Sequence, residues 1–475
     1  MSLYVFLMLF FAMVLIGTSR LTGINRATVA IALAAVGWVV YVSWGADFVA
    51  ESHPLEYQKY LQGSTPTSET VKLFIHDEVF LSYVGRAASL ALFLLATSTI
   101  VKILEQNGCL DFIAQFCRTN SARSMLWRLV LVTFFVSANL DNLTTTLLML
   151  AVIRSLVEGR HERWVLGSAV VVAACCGGCF TVIGDPLGLL LWGQGAVTAT
   201  AFSSRLALPA LAACVTVTCV LDRQLPHRIS SSWSSMPYRG DATRLRPWQR
   251  MAMLFVALAG LWFVPTFYNI THLSPFLGAL CVLAVLWVVN EVFNRKLMEA
   301  DQMTSLRRHR SMTLGTQAQL LYVLGIMLAM GVMAETGVFT SINALLGSTF
   351  SSIWSIGFLS ALLSSVTDSM AIGMCDALLH PVLSHSDLQH LAVGSSHWAD
   401  GTYLSQFLLD GPYWPVIALF TTLGGLMLPI GNMSGLALMS VEQMHPGWYL
   451  RHCTPAVFLG SLLAVGILAA EYYFF

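Results

Sequence analysis

Apolar runs of around twenty residues recur along this chain, and that feature restricts the folds open to it more than any other. A helix needs roughly 20 apolar residues to cross the hydrocarbon core of a bilayer. Ala27–Trp44, Leu81–Leu104, Met251–Tyr268, Phe276–Val292 and Ala456–Ala470 approach or exceed that length. Strands of a membrane β-barrel are shorter and alternate polar with apolar positions, which these runs do not. Only 11% of the residues are charged and 56% are hydrophobic, whereas soluble domains carry about 25% charged residues. The expected class is an all-α polytopic membrane protein in contact with lipid.

Several other classes lose support at the same stage. The first run, Leu3–Gly17, lacks a basic n-region and a small-x-small cleavage site, so it reads as a retained helix rather than a signal peptide. Ten cysteines sit mostly in apolar stretches, where the thiol behaves as a small hydrophobe. Cys175, Cys176 and Cys179 have no second ligand pair to complete a metal site. A formal net charge of zero gives nucleic acid no footing. HExxH, Walker A and GxSxG arrangements are missing, so neither an ATP-driven pump nor a hydrolase is expected, and no organic cofactor.

Basic residues orient the chain, because cytoplasmic loops carry the Lys and Arg excess. With the N-terminus outside, all of the 25 basic residues fall inside except Lys59, Lys72, Arg86 and Arg205. Arg26 is placed in the first inner loop, and His76, Asp77 and Glu78 at the outer rim before the third helix. Segment 129–157 has Arg118, Arg123 and Arg128 before it and Arg154, Arg160 and Arg163 around its end, so it reads as a re-entrant hairpin from the inner face. Segment 351–379 has no basic residue and reads as a second hairpin, entering from outside. Each hairpin precedes a long apolar helix interrupted by Gly and Pro, at 164–192 and 414–439. The expected organisation is therefore N-terminal scaffold helices (1–75), a first inverted repeat (76–222), basic loops with a linking helix pair (223–312), and a second repeat (313–475).

Polar residues at membrane depth are costly and mark function. Ser137-Ala-Asn-Leu-Asp-Asn-Leu-Thr-Thr-Thr146 places a carboxylate, two carboxamides and four hydroxyls inside an apolar run. Oxygen donors from Ser137, Asn139, Asp141, Asn142 and Thr145 suit a hard cation such as sodium, and the same residues are good helix caps. Gly177-Gly-Cys-Phe-Thr-Val-Ile-Gly-Asp-Pro186 breaks the following helix, exposing carbonyls beside Thr181 and Asp185. Ser364-Ser-Val-Thr-Asp-Ser369 repeats one acid among hydroxyls, with Ser365 and Asp368 as candidates. The run 424–435 mirrors the first break, with Asn432 where Asp185 stood. Glu335 closes an apolar helix and either titrates during transport or faces the outer interface. His397 and Asp400 form a polar patch without metal-ligand spacing. Asp141 and Asp185 are expected to meet where the first tip approaches the broken helix. Together with Asn142 they would hold sodium or a proton in turn.

In SANLDNLTTTLLML, GG…IGDP, MAETG and VTDS, in this order, the chain resembles the NhaD-type sodium/proton antiporters of the ion transporter superfamily. The resemblance implies a secondary transporter exchanging sodium or lithium for protons, a homodimer, an elevator-like moving domain and a bacterial inner membrane. Asp368-Ser369 stands where those antiporters tend to carry Asp-Asn, and IGNMSG where a Gly-Ser-Ala type is usual, which weakens a second cation site. Related carboxylate carriers share a Ser, Asn and Thr tip, so a carboxylate or oxyanion transporter is an alternative. A non-transporting sensor or scaffold is a further one.

Overall fold

The computed structural model describes residues 2–44, 48–49, 52–62, 65–227, 245–298, 313–349, 352–384 and 404–474. His397, Asp400 and much of the basic sequence at 228–244 and 299–312 lie outside the described residues. Seventeen principal helices run through the described residues. They are α1 (Ser2–Gly17), α2 (Arg26–Ser43), α3 (Leu81–Gln106), α4 (Ala122–Ser137), α5 (Asn142–Leu156), α6 (Arg160–Cys179), α7 (Pro186–Gly193), α8 (Ala199–Asp222) and α9 (Pro247–Thr271). After them come α10 (Pro275–Met298), α11 (Thr313–Glu335), α12 (Val338–Thr349), α13 (Ile353–Val366), α14 (Ser369–Leu379), α15 (Tyr413–Met427), α16 (Met433–Glu442) and α17 (Thr454–Phe474). Among the described residues, eight helical stretches are long and apolar enough to cross a bilayer.

Two groups of helices pack within themselves. In one, α11 lies along α2 and α3, and α3 also packs on α10, which pairs with α9. In the other, α6 packs on α4 and α5, α15 on α13 and α14, and α8 on α17. This second group holds two helix–turn–helix hairpins, α4–α5 and α13–α14, and two interrupted helices, α6/α7 and α15/α16. They interlock by exchange. The second arm of the first hairpin, α5, packs on α16 of the second interrupted helix, while α14 packs on α7 of the first.

The interruptions follow from the residues in them. Pro186 has no N–H to donate and disfavours helix at Asp185, so the chain runs extended there before α7 restarts with Asp185 as its N-cap. Each hairpin arm likewise restarts on a side-chain cap, Asp141 for α5 and Asp368 for α14. Asn432 caps α16 in the same way.

Two segments depart from the sequence reading. The first hairpin begins at Ala122, not 129, because Arg123 and Arg128 are absorbed into its first turns. Arg123 pairs with Asp222 at 2.7 Å, and Arg128 donates to the Phe116 carbonyl at 3.0 Å. His76, Asp77 and Glu78 precede α3 as expected, but within helical structure that runs on into it. They lie in a wide π turn, Ile75–Phe80, that joins Ser68–Phe74 to α3 as one continuous 39-residue helix. Residue 75 therefore falls inside a helix.

Candidate functional site

The first hairpin tip is seated in the first break by a short chain of polar contacts. Ser137 donates to the Ala174 carbonyl of α6 at 2.7 Å and to Asn142 Oδ1 at 3.0 Å. Asn142 Nδ2 donates to Asp185 Oδ1 at 2.8 Å, and Asp185 Oδ2 caps α7 through Leu187 N–H. From the break, Thr181 Oγ1 returns to the Ala138 carbonyl at 2.7 Å. The approach is close enough that only glycine fits. A Cβ on Gly178 would collide with Asn142 Oδ1, and one on Gly184 would lie 2.7 Å from the Ser137 carbonyl.

Asp141 and Asp185 both lie at this junction, close enough for their charges to act on each other, but it is Asn142 that bonds Asp185. Asp141 turns the other way. It caps α5 through Leu143 and Thr144 N–H, accepts the Thr144 hydroxyl, and receives Gln319 Nε2 from α11 at 2.9 Å. The reason is its place as N-cap, where the carboxylate must face the first free N–H groups of its own helix.

The first tip also holds oxygens without partners. Asn139 donates to Phe135, but its Oδ1 is buried and unbonded, as are Thr145 Oγ1 and Thr146 Oγ1. Buried polar atoms are normally satisfied, and these three have no partner among the described residues. A cavity of about 450 Å³ reaches this tip, lined among others by Leu143, Gln319, Arg26, Met433 and Gln443.

The second junction repeats the geometry with different charges. Ser364 donates to the Thr421 carbonyl at 2.9 Å, as Ser137 does to Ala174. Asn432 bridges the break by donating to the Gly425 carbonyl at 2.7 Å while accepting Gly435 N–H. The correspondence keeps one register within the hairpins and another within the breaks. Ser137, Asp141 and Asn142 match Ser364, Asp368 and Ser369, and Gly178, Gly184 and Asp185 match Gly425, Gly431 and Asn432. Asp368, however, is ion-paired with Arg26 at 3.0 Å and accepts Tyr322 OH at 2.7 Å. Both charged groups are buried, at 4% and 1% exposure. Arg26 also donates to the Ile430 carbonyl of the second break at 2.7 Å. A cationic side chain thus already occupies this tip.

Ser365 is not part of the junction through its side chain, which bonds back to Leu362 of its own helix; only its carbonyl lies against Gly431. Glu335 is also elsewhere. It is thirteen residues beyond Tyr322 on α11, about 20 Å along the axis at 1.5 Å per residue. There it accepts Tyr83 OH at 2.9 Å, Tyr41 OH at 3.3 Å and His53 Nε2 at 2.8 Å. His53 also bonds Glu56 through Nδ1 at 2.7 Å. The hydrogen bond to Glu335 outweighs burial and lifts the imidazole to about 9.

Sequence reasoning missed three groups. Arg26 follows a loop and opens an apolar run, so it looked like an inner-loop marker rather than a buried partner. Gln319 and Tyr322 carried a legible signal, two polar groups three apart on one face of an apolar helix. Glu442, at the end of α16, is clamped by Arg154 and Arg163, both at 2.8 Å, two residues that had been read only as orientation marks.

Hairpin tips seated in broken helices, inside a multi-pass helical frame, define a membrane transporter. The family described as "Citrate transporter" (CitMHS) matches residues 2–396, and the chain belongs to it. Sodium/proton antiporter 1 of Arabidopsis thaliana is 29% identical over 396 residues, covering 81% of this chain and 62% of its own length. Sodium/proton antiporter 2 of the same plant is 26% identical over 386 residues, covering 79% and 83%. The Na(+)/H(+) antiporter NhaD of Vibrio cholerae is 26% identical over 406 residues, covering 80% and 77%. The likeness to NhaD-type antiporters carried by the LDNLTTT and IGDP runs extends over most of the chain.

Proposed function

We propose that the chain is a secondary sodium/proton antiporter in which cation and proton compete for the first junction. The observation that carries this reading is the difference between the two junctions. The first combines Asp141, Asp185 and Asn142 with oxygens of Asn139 and Thr145 that lack a partner, and no ion pair among the described residues involves its acids. The second has its acid matched by Arg26. Oxygen donors of carboxylate, amide and hydroxyl type suit a hard cation. A proton is the other cation that such a carboxylate can hold once sodium has left. The curated relatives named as sodium/proton antiporters support the same reading. Lithium, with the same charge and oxygen preference, is a second substrate on this reading.

Transport follows if the hairpins and interrupted helices move together against the α2, α3 and α11 group, with Gln319 and Tyr322 as the contacts that exchange. On this reading the first hairpin is re-entrant from the inner face, the protein works as a homodimer, and its home in a bacterium is the inner membrane. Asp368 is matched by Arg26 of α2, so it is not a second sodium site, and this pair joins Gln319 and Tyr322 among the contacts that the movement exchanges. A carboxylate cargo is the second reading, favoured by the family's description as citrate transporters.

The test uses everted vesicles loaded with a fluorescent pH probe. Sodium and lithium should dissipate the proton gradient with the wild type, and Asp141→Asn and Asp185→Asn should abolish the response. Wild-type exchange in either variant, or citrate flux without sodium-dependent proton movement, overturns the reading.

A further inference from the structure

The antiport reading leaves one buried acid without a task. Asp376 lies on α14, eight residues past Asp368, about 12 Å along the helix and so beyond contact with either junction. It is 7% exposed, and its Oδ2 has no hydrogen-bonding partner among the described residues. The ion pairs among the described residues do not include it. The Ser360 hydroxyl of α13 lies against it, and Tyr413 of α15 bonds its backbone carbonyl rather than its carboxyl group. One turn on, His380 is 5% exposed and its Nε2 is also unpartnered, the ring stacked on Phe407 at 4.0 Å.

An acid in this setting differs in kind from Asp368. A buried carboxylate is tolerated when a cation or several donors match it, and Asp368 has Arg26, Tyr322 and a helix N-terminus. Asp376 has none of these. It sits in the last turn of α14, where no free N–H groups point at it and the Ser360 hydroxyl alone lies against it, so charge there is poorly compensated. The group is stable at this depth only when neutral, which for a carboxyl means bearing a proton. A permanently apolar residue would serve packing better, and an amide would serve a hydrogen bond better. What a carboxyl alone can do is take up and release H⁺.

Resting on the antiport reading, we infer that Asp376 is a second proton site, carried on α14 and separate from the junction where sodium and proton compete. His380 adds a proton-accepting atom one turn nearer the end of the helix. Each cycle then moves one proton bound at Asp376 in addition to those displaced by sodium. The proton binds to Oδ2 from water on one side and leaves to water on the other, with no other bond made or broken. The pairing of Asp368 with Arg26 fits this division, since the tip acid of the second hairpin already has a cation beside it and Asp376 has none among the described residues.

The experiment is the coupling ratio of the full-length protein in proteoliposomes. The sodium gradient that just balances imposed proton and electrical gradients is measured for the wild type and Asp376→Asn. Asn matches a neutral carboxyl in shape, so the variant should fold, exchange sodium, and move one proton fewer per sodium. An unchanged ratio, or a folded variant that no longer exchanges, overturns the inference. Infrared spectroscopy of the wild type and Asp376→Glu gives a readout independent of transport. The carbonyl stretch of a protonated acid should shift between the two, and its absence overturns the inference as well. A wild type with no sodium/proton exchange would instead remove the antiport reading, leaving the infrared result to decide whether Asp376 holds a proton.

Discussion

Replacing Arg26 by methionine should damage this protein more than any exposed charge change, and a second substitution should repair most of the damage. Arg26 and Asp368 are 4% and 1% exposed and 3.0 Å apart. Removing the guanidinium strands a buried carboxylate that retains only Tyr322 and the α14 N-terminus. Breaking a buried pair in this way costs about 3–5 kcal/mol. The Ile430 carbonyl, bonded by Arg26 at 2.7 Å, loses its partner for about 1 kcal/mol more. The single variant should therefore lose about 4–6 kcal/mol. In Arg26→Met with Asp368→Asn no charge is left, and Asn can still accept from Tyr322 and cap α14. The double variant should lie about 3 kcal/mol above the Arg26→Met single. Unfolding titrations in mixed micelles measure all three. An Arg26→Met cost under about 1 kcal/mol, or a double variant less stable than either single, would refute the claim that the pair is a buried, matched unit.

Other consequences are equally direct. His53 is held near 9 by Glu335, above its ordinary value of about 6.5. Its stabilisation is full below that ordinary value and is lost as pH rises through about 9. The melting temperature should fall over that window in the wild type and not in His53→Gln. Gly178→Ala should leave the protein folded but cut exchange by at least about tenfold, since the methyl displaces Asn142 from Asp185. Gly193→Ala, with open space around its Cβ, should transport normally. Glu442→Gln should destabilise by about 1–3 kcal/mol, read in the same titrations, because it leaves Arg154 and Arg163 facing a neutral group.

Much of this molecule was legible in its sequence because membranes make simple rules strict. Long apolar runs must be helical, and Gly-Asp-Pro inside one must break it, so the α6/α7 interruption was readable residue by residue. The polar density of 137–146 announced a tip, and its caps are the residues expected of caps. What could not be read were partners brought from far away. Arg26 meets Asp368 across 342 positions, and Gln319 reaches Asp141 across 178. No local pattern distinguishes an arginine that ends a loop from one that enters the protein. Asp141 was expected to face Asp185, since both flank one junction. The demand of its own helix for a cap turned it away and left Asn142 in its place. Helix boundaries were misread where basic residues were taken for loop, as at Arg123 and Arg128.

Four helices, α5, α7, α14 and α16, begin deep in the structure, each with its N-terminus at one of the two junctions. Every such end bears about half a positive charge, so before any side chain is counted the centre of the protein is an anion trap. Aspartate at three of the four starts reverses that polarity. On the proposed reading, the residues that open these four short helices set whether the two junctions favour a cation or an anion.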